Sequence, residues 1–449
     1  MKALQLRKTA LDLLIRVDKD SGFSHLLLNR EINTKRLDTK DEALLTQIVY
    51  GTLERKLTLD YYLTNFIKQK NKIEPWIHML LRMSVYQMVY LDKVPSHAII
   101  HEAVEIAKEK GHKGIQGFVN GVLRNIQRQG VPDLSEIKDP MERISIETSH
   151  PLWLVERWSA NYGIEIAEAI CKANLTKQPM SIRIQALKTS REQIMQELED
   201  EGFVVTPSEF SQQGIIIEKG NILRSDLFHN GLVTIQDQSS MLVGEILKPE
   251  SGMTVLDSCS APGGKATHIA EKMENIGIIR AHDIHKKKTK LISEKAATLG
   301  LTIIDAEQGD ARKLKEQYEA VSFDRILVDA PCSGLGVINS KPEIKYEKTL
   351  EDIEKLHKIQ LDILNNVSEL LKPDGLMVYS TCTIEKQENE EVVKQFLKEN
   401  PNFTVDDSFL TELPMNLETS KGVSAYGIQL FPQTHQTDGF FMTRLKKVN

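Results

Sequence analysis

From residue 234 to the C-terminus, short apolar segments alternate with stretches of helical periodicity. The apolar segments are bounded by turn residues and read MTVLDSC, IGIIRAHDI, LTIIDAEQGD, FDRILVDAPC and GLMVYSTCT. Strands that are apolar on both faces and separated by helices are typical of a parallel sheet covered on both sides. The pattern predicts an α/β domain with a doubly wound, mostly parallel sheet. The final GFFMTRLKK can supply a last strand, with antiparallel pairing.

The first predicted strand ends in DSCSAPGGK, which combines a tight turn with the start of a helix. Gly263 and Gly264 permit close approach of the backbone to a ligand, and Lys265 begins a helix whose N-terminus can bind polar groups. A phosphate-binding P-loop requires glycine where Cys259 stands and Ser or Thr where Ala266 stands. The turn therefore disfavours ATP or GTP.

Acidic residues close the first three predicted strands. Asp257, Asp283 and Asp310 each stand where an apolar segment ends. The carboxyl ends of parallel strands share one edge of the sheet, and an acidic residue after the second strand is well spaced to meet ribose hydroxyls. One Asp at a strand end is more often a cap or turn residue. Their coincidence at one edge favours a nucleoside cofactor without phosphates.

The chain has four cysteines, Cys171, Cys259, Cys332 and Cys382. Spacings this wide do not suggest a disulfide framework, so we expect free thiols. A lone cysteine is most often an inert buried residue. Cys332 and Cys382, however, follow the fourth and fifth predicted strands, which lie beyond the switch point of a doubly wound sheet. Both should face one crevice, as a nucleophile and an accessory group.

Residues 1–128 show helical spacing almost throughout, which predicts an all-helical bundle. Residues 1–130 contain 21 Lys and Arg against 14 Asp and Glu, whereas the rest of the chain contains 36 against 49. A basic segment joined to an acidic body suggests that the bundle meets a polyanion. A solvated charged surface is the alternative.

Two shorter segments separate the bundle from the α/β domain. Residues 131–150 lose the helical periodicity and are rich in proline and polar residues, which suggests a linker. Residues 151–233 mix predicted helices and strands and suggest a small α+β module. No apolar stretch approaches the length of a membrane span, and the N-terminus resembles an amphipathic helix rather than a signal peptide. We expect a cytoplasmic protein.

The motifs DSCSAPGGK, DAPCSGLG and STCT resemble those of the Rossmann-fold RNA cytosine-C5 methyltransferases that use S-adenosylmethionine. The similarity covers 150–449. The segments FVNGVLRNI and SHPLWLVERW are similar to a bacterial subfamily that acts on 16S ribosomal RNA and carries a domain resembling antitermination factor NusB. The resemblance implies a multidomain protein: a NusB-like RNA-binding bundle over 1–130, the linker, a ferredoxin- or RRM-like RNA-binding module over 151–233, and a Rossmann-like methyltransferase domain over 234–449.

The resemblance also implies roles for the site residues. Cys382 is expected to add to carbon-6 of a cytosine, and Cys332 to assist loss of the carbon-5 proton and release of Cys382. Asp329, when it is protonated or shares a proton, is expected to bond ring nitrogen-3 of the base, and Lys265 is expected to orient Asp329 or the base. The target should be a single-stranded or splayed nucleotide. Cofactor contacts are expected from Cys259, Ser260, Ala261, Pro262, Gly263, Gly264, Lys265, Asp283, Asp310 and Asp329.

Three other functions stay open on the sequence alone. The same chemistry could act on another RNA, such as tRNA or 23S ribosomal RNA. A DNA cytosine methyltransferase would use the cysteine of the Pro-Cys motif, Cys332, as its nucleophile. A non-catalytic RNA-binding assembly factor would need none of the site residues, and the presence of Cys382, Asp329 and Asp283 argues against it. We predict no metal and no membrane partner, and we expect a monomer.

Overall fold

The computed structural model describes residues 3–20, 24–35, 37–67, 73–413 and 415–448. Residue contacts divide the chain into two compact units. The first contains residues 1–176 and 338–347, and the second contains residues 177–337 and 348–449. In these described ranges, no helix is both long enough and apolar enough to cross a membrane.

The helices run along the chain as α1 (Ala3–Asp20), α2 (Ser24–Lys35), α3 (Thr39–Glu54), α4 (Lys56–Thr64), α5 (Pro75–Tyr90), α6 (Ser96–Lys110), α7 (Lys113–Gln129), α8 (Pro140–Thr148), α9 (Leu152–Tyr162), α10 (Ile164–Ala173), α11 (Arg191–Asp200), α12 (Asp226–His229), α13 (Gln238–Leu247), α14 (Gly264–Lys272), α15 (Lys286–Leu299), α16 (Ile344–Glu347), α17 (Leu350–Ser368), α18 (Glu390–Glu399), α19 (Ser408–Glu412), α20 (Met415–Glu418) and α21 (Pro432–His435).

The strands are β1 (Met180–Ile184), β2 (Val204–Pro207), β3 (Gly214–Lys219), β4 (Val233–Ile235), β5 (Thr254–Asp257), β6 (Ile278–Asp283), β7 (Ile304–Gln308), β8 (Phe323–Asp329), β9 (Leu371–Thr381), β10 (Phe403–Val405), β11 (Val423–Ser424), β12 (Gly427–Leu430) and β13 (Phe440–Lys447).

The described part of the first unit is built from α1 to α10 and α16. Helices α1 to α7 cover the residues for which a helical bundle was predicted, and they confirm it. Its core is formed by apolar faces of the helices. In α1, for example, Leu6, Leu11, Leu14 and Val17 are all buried, and their spacing places them on one side of the helix.

Residues 131–150 differ from the irregular linker that the sequence suggested, because they contain helix α8. The Asp139 carboxylate accepts a hydrogen bond from the Glu142 N–H at 2.8 Å, and Pro140 occupies the first position of the helix. Proline is well tolerated there because that position has no intrahelical N–H bond to lose. The proline and polar residues that suggested a linker are therefore helix-start signals in this segment.

The segment 338–347, which follows the predicted Pro-Cys motif, has its contacts in the first unit. Glu343 accepts hydrogen bonds from the N–H and hydroxyl of Ser24. The Lys345 ammonium donates to the Glu54 carbonyl at 2.8 Å. Burial lowers the pKa of Lys345 to about 7. The division of the chain by residue contacts therefore differs from the division into segments that the sequence predicted. The boundaries of those segments stay predictions.

The second unit contains two sheets. The smaller is antiparallel, with strand order β2-β3-β1-β4, and helix α11 packs against it. The larger has the order β11-β12-β13-β9-β8-β5-β6-β7, with β10 paired to β13. Strands β5 to β9 are parallel, and β13 runs antiparallel to β9, as predicted.

The order of the larger sheet decides where a ligand can bind. β5 lies between β6 and β8, so the chain builds outward in both directions from β5. The crevice at such a switch point lies outside the carboxyl ends of the strands. The predicted placement of β8 and β9 across the switch point from the glycine turn is therefore confirmed.

Candidate active site at the carboxyl ends of the parallel strands

A cavity of about 430 Å³ lies at the carboxyl ends of the parallel strands. Cavities of this size commonly hold small molecules. Seven of the predicted site residues line it: Cys259, Ala261, Asp283, Asp310, Asp329, Cys332 and Cys382. The remaining predicted site residues, Ser260, Pro262, Gly263, Gly264 and Lys265, belong to the turn and helix beside it.

The glycine turn is fixed by backbone hydrogen bonds. The Ser260 N–H donates to the His282 carbonyl at 2.7 Å, and the Gly263 N–H donates to the Ser260 carbonyl at 2.7 Å. Gly263 has a φ of 95°, a conformation that strains residues with a side chain, and a Cβ there would lie 3.1 Å from Ile292. Glycine is therefore required for the turn to pack against α15.

Asp283 and Asp310, two of the three acidic residues that line the cavity, differ in their available oxygens. Oδ1 of Asp283 accepts the His285 N–H at 2.8 Å, and no described residue donates to its Oδ2. Asp310 instead binds Arg312 through both oxygens, and these hydrogen bonds lower its pKa despite partial burial. Asp283 thus offers the better acceptor for a ligand hydroxyl, and the Asp310 carboxylate stays ionised.

Asp329, at the end of β8, is held from two sides. Its Oδ2 accepts the Lys265 ammonium at 2.8 Å, and its Oδ1 accepts the Ser380 hydroxyl at 2.8 Å. Burial alone would lower the pKa of Lys265, but the Asp329 carboxylate and the nearby Cys382 outweigh it and raise the pKa. Lys265 is therefore a cation that joins the glycine turn to Asp329 at the end of β8.

The sulfur atoms of Cys332 and Cys382 lie 3.3 Å apart. Their loops are bonded to each other, because the Gly336 N–H donates to the Cys382 carbonyl at 3.0 Å. A Cβ at Gly336 would lie 1.8 Å from the Gly439 carbonyl oxygen and 2.8 Å from the Cys382 carbonyl oxygen, so this close approach requires glycine. The hydrogen bond with Cys382 and burial raise the pKa of Cys332 well above its ordinary value. Cys332 thus holds its proton beside Cys382.

Asp257, at the end of β5, is fully buried near this group. Burial is the main cause that raises its pKa to about 7; the Ser260 hydroxyl opposes the rise and the Asp329 charge adds to it. The folded protein therefore keeps a proton that the unfolded chain releases near pH 4. The contribution of Asp257 to stability therefore falls as the pH rises from about 4 to about 7, and this penalty stays constant above that range.

Replacing Asp257 with asparagine is expected to remove this penalty. The stability of Asp257→Asn relative to the unmodified protein should increase between pH 4 and 7, by on the order of 2–4 kcal/mol. Urea unfolding at several pH values measures the difference. If the free energies of unfolding of the two proteins changed with pH in parallel, the raised pKa of Asp257 would be contradicted.

Asp324 provides a control of opposite sign. Burial alone would raise its pKa, but the Lys372 ammonium and the Thr254 N–H outweigh it and lower the pKa. This carboxylate stabilises the fold above its unfolded pKa and loses that effect in acid. Asp324→Asn should therefore be less stable than the unmodified protein at pH 7, with a deficit that disappears as the pH falls.

Comparison with known proteins places these features in a family. Residues 244–446 match "16S rRNA methyltransferase RsmB/F", residues 4–128 match the "NusB family", and residues 150–223 match the ferredoxin-like domain of the RsmF/B-like methyltransferases. The "Probable ribosomal RNA small subunit methyltransferase B" of Bacillus subtilis (strain 168) is 47% identical over 100% of both chains. The chain belongs to the RsmB/F family of 16S rRNA methyltransferases.

A second relative and a solved structure are also similar to this chain over nearly its full length. "Ribosomal RNA small subunit methyltransferase B" of Proteus mirabilis (strain HI4320) is 33% identical and covers 95% of each chain. The crystal structure of PH0851 covers 100% of this chain and 99% of its own, with a TM-score of 0.85 and 26% identity. The predicted order of helical domain, small sheet module and α/β methyltransferase domain is confirmed.

The structure of this RsmB/F member also shows site residues that the sequence analysis did not single out. Ser380 orients Asp329, and Arg312 neutralises Asp310. Ser380 belongs to the STCT motif, so its position next to Cys382 was a usable signal. Arg312 stands two residues after Asp310, where a side chain can fold back onto the carboxylate, but nothing in the sequence distinguishes it from a surface arginine.

The cavity fits a nucleoside cofactor in size and donor set. It combines a carboxylate oxygen without a described donor at Asp283 with a turn that needs glycine for its close packing. A carboxylate suits a ribose hydroxyl, and its negative charge suits a cationic cofactor better than a phosphate. Among the described residues, no group of three or more His, Cys, Asp or Glu side chains is arranged to hold a metal ion.

Proposed function

We propose that this rRNA methyltransferase transfers the methyl group of S-adenosylmethionine to carbon-5 of a cytosine in 16S ribosomal RNA, through a covalent bond between Cys382 and carbon-6. The observation that carries the proposal is the pair of thiols 3.3 Å apart in a cavity that also contains Asp283, Asp310 and Asp329. The thiols can supply a nucleophile, and the carboxylates suit a nucleoside.

Cys382 is the proposed nucleophile. Carbon-5 of cytosine is a poor nucleophile until a thiolate adds to carbon-6 and turns the ring into an enamine. A thiol with an ordinary pKa near 8.5 is only slightly ionised at neutral pH, so a neighbouring positive charge helps. The Lys265 ammonium, whose pKa the charge of Cys382 helps to raise, supplies it.

Asp329 is the proposed partner of the base. The two hydrogen bonds from Lys265 and Ser380 hold its carboxyl group in one orientation at the cavity wall. In this place the carboxylate can accept a hydrogen bond from the exocyclic amino group of the base. A proton carried or shared by Asp329 can be donated to ring nitrogen-3 and so stabilise the negative charge that develops when the thiolate adds. Lys265 acts through Asp329 and Cys382 and need not touch the base.

Cys332 is proposed to act after methylation. The carbon-5 proton must leave, and the Cys382–carbon-6 bond must break, before the product is released. Cys332 already has its sulfur beside Cys382, so it can give its proton to the Cys382 thiolate that leaves carbon-6. The Cys332 thiolate formed in this way can accept the carbon-5 proton, so that elimination ends with both thiols protonated. When bound, S-adenosylmethionine supplies an electrophilic methyl group on sulfur.

RNA recognition is proposed to lie partly in the helical bundle. Residues 1–130 carry the positive balance of the chain, and a polyanion is its natural ligand. The small sheet module is proposed as a second RNA-binding element. The cytoplasmic location and the monomeric state predicted from the sequence stay predictions.

Methyl transfer with a labelled cofactor tests the proposal against its alternatives. The protein is incubated with methyl-labelled S-adenosylmethionine and 16S RNA, 23S RNA, tRNA or DNA, and the label is mapped to a nucleotide. We expect label at carbon-5 of a cytosine in 16S RNA. Label in tRNA or 23S RNA would show that another RNA is the substrate. Label in DNA would favour the mechanism in which Cys332 is the nucleophile. RNA binding without incorporation of label would favour a non-catalytic assembly factor.

Asp283→Ala is expected to weaken binding of the cofactor. A charge-assisted hydrogen bond to a hydroxyl contributes roughly 1.5–3 kcal/mol, which corresponds to about a 10- to 100-fold change in Kd. Calorimetric titration with S-adenosylhomocysteine measures the change. Asp305→Ala is the matched control, because Asp305 lies on the neighbouring strand β7, binds Arg280 and does not line the cavity. Equal affinities for the two variants would count against Asp283.

A further inference from the structure

Arg183 is the charged residue of strand β1 in the small sheet, where it stands between two isoleucines. Its neighbours Ile182 and Ile184 pack into the core of that sheet, and side chains alternate along a strand. Arg183 therefore projects from the opposite face, and it is fully buried there. Burial of a guanidinium requires partners for its charge and for its N–H groups.

All five N–H groups of Arg183 have acceptors. Two go to the carboxylate of Glu271 on α14, at 3.1 and 2.8 Å. One goes to the hydroxyl of Thr267 at 3.1 Å and one to the side-chain oxygen of Gln236. The fifth goes to the main-chain carbonyl of Gly264 at 2.9 Å. A guanidinium has five donors, so the set is complete.

Three of these four partners belong to one helix. Gly264 is the first residue of α14, and Thr267 and Glu271 lie one and two turns further along. Arg183 thus forms hydrogen bonds along two turns of α14. The bond at the start of the helix goes to the backbone of the glycine turn. Lys265, the next residue, carries the ammonium that binds Asp329.

We propose that Arg183 is a positioning residue, through which the small sheet module sets the cofactor turn Cys259–Lys265 and the direction of Lys265. The inference rests on the proposed function, because it takes this turn as part of the cofactor site. Arg183 touches neither the cavity nor the reacting groups. Its effect passes through the Gly264 carbonyl and the first turn of α14.

A purely structural role is the competing explanation. The Arg183–Glu271 ion pair would then hold the module and the sheet together, without influence on the turn. The two roles can be separated, because Glu271 lies two turns from Gly264. Loss of Glu271 breaks the ion pair and leaves the Gly264 contact, whereas loss of Arg183 breaks both.

Three variants of the full chain make the test. Arg183→Met combined with Glu271→Gln removes the Gly264 contact without leaving a buried unpaired charge. Glu271→Gln alone is the matched control. Arg183→Lys keeps the positive charge but not the planar fork. Two readouts are used: hydrogen exchange of the amides in 258–265 in the ligand-free protein, and the Kd of S-adenosylhomocysteine by calorimetry.

The double variant should exchange its 258–265 amides faster and bind S-adenosylhomocysteine about tenfold more weakly, the factor expected for one lost hydrogen bond. Arg183→Lys should lie between the double variant and the unmodified protein. Glu271→Gln should lower Tm with little change in either readout. If the double variant does not fold, Arg183→Lys is compared with Glu271→Gln instead. Faster exchange and weaker binding in Arg183→Lys than in Glu271→Gln would then support the proposal.

Unchanged exchange and affinity in the variants without Arg183 would overturn the proposal. So would an equal loss in Glu271→Gln, because the effect would then come from the ion pair. Failure of the unmodified protein to bind S-adenosylhomocysteine would count against the proposed function instead. Hydrogen exchange would still decide the role of Arg183 in that case.

Discussion

Cys382→Ala is expected to have no detectable methyltransferase activity, a loss of at least about 10³-fold. Without the thiol no bond to carbon-6 forms, and carbon-5 is never activated for methyl transfer. The other groups of the cavity remain, so the affinity for S-adenosylhomocysteine should change little. Incorporation of labelled methyl groups into 16S RNA measures the first effect, and calorimetry measures the second.

Cys171→Ala is the control for this experiment. Cys171 is fully buried in the first unit, and burial raises its pKa to about 12, so it is an unreactive thiol. Its replacement should leave the methylation rate within about twofold and lower Tm by a few degrees at most, as expected for a small core change. Methylation by Cys382→Ala at a rate near that of Cys171→Ala would exclude Cys382 as the nucleophile.

Cys332→Ala is expected to accumulate a covalent protein–RNA adduct. Cys382 can still add to the base, but the thiol that lies 3.3 Å away and exchanges protons with it is lost. Elimination should become slower than addition, so the adduct that is transient in the unmodified protein becomes the main species. Denaturing electrophoresis with 16S RNA and cofactor shows this as a band of low mobility.

The double variant Cys332→Ala with Cys382→Ala identifies the bonded sulfur. It should form no adduct, because only Cys382 is expected to be joined to the RNA. An adduct in Cys382→Ala that is absent from Cys332→Ala would exchange the two roles. That result would also move the enzyme toward the mechanism in which the Pro-Cys cysteine attacks.

The glycine turn and the two cysteine motifs could be interpreted from the sequence because each follows a strand directly. A parallel sheet brings the carboxyl ends of its strands to one edge, so local pattern implied three-dimensional proximity for Asp283, Asp310, Cys332 and Cys382. The sequence signal for the antiparallel last strand was weaker, because few turn residues flank GFFMTRLKK. Its pairing with β9 confirms that expectation.

Contacts between distant parts of the chain could not be predicted in the same way. Arg183 and Glu271 stand 88 positions apart, and each is an ordinary charged residue in its own segment. The one signal was an arginine within MSIRIQAL, where apolar residues surround it. That pattern indicates that the guanidinium needs a buried partner, but it does not identify the partner.

The sequence by itself determined the fold class, the edge of the sheet that carries the chemistry and the residue types available there, because periodicity and turn residues act over short distances. Tertiary structure alone decided the 3.3 Å separation of the two sulfurs, the hold of Lys265 and Ser380 on Asp329, and the contacts of 338–347 with the helical unit. These depend on packing between segments far apart in the chain. Such packing is specified by the whole set of buried surfaces and not by any one motif.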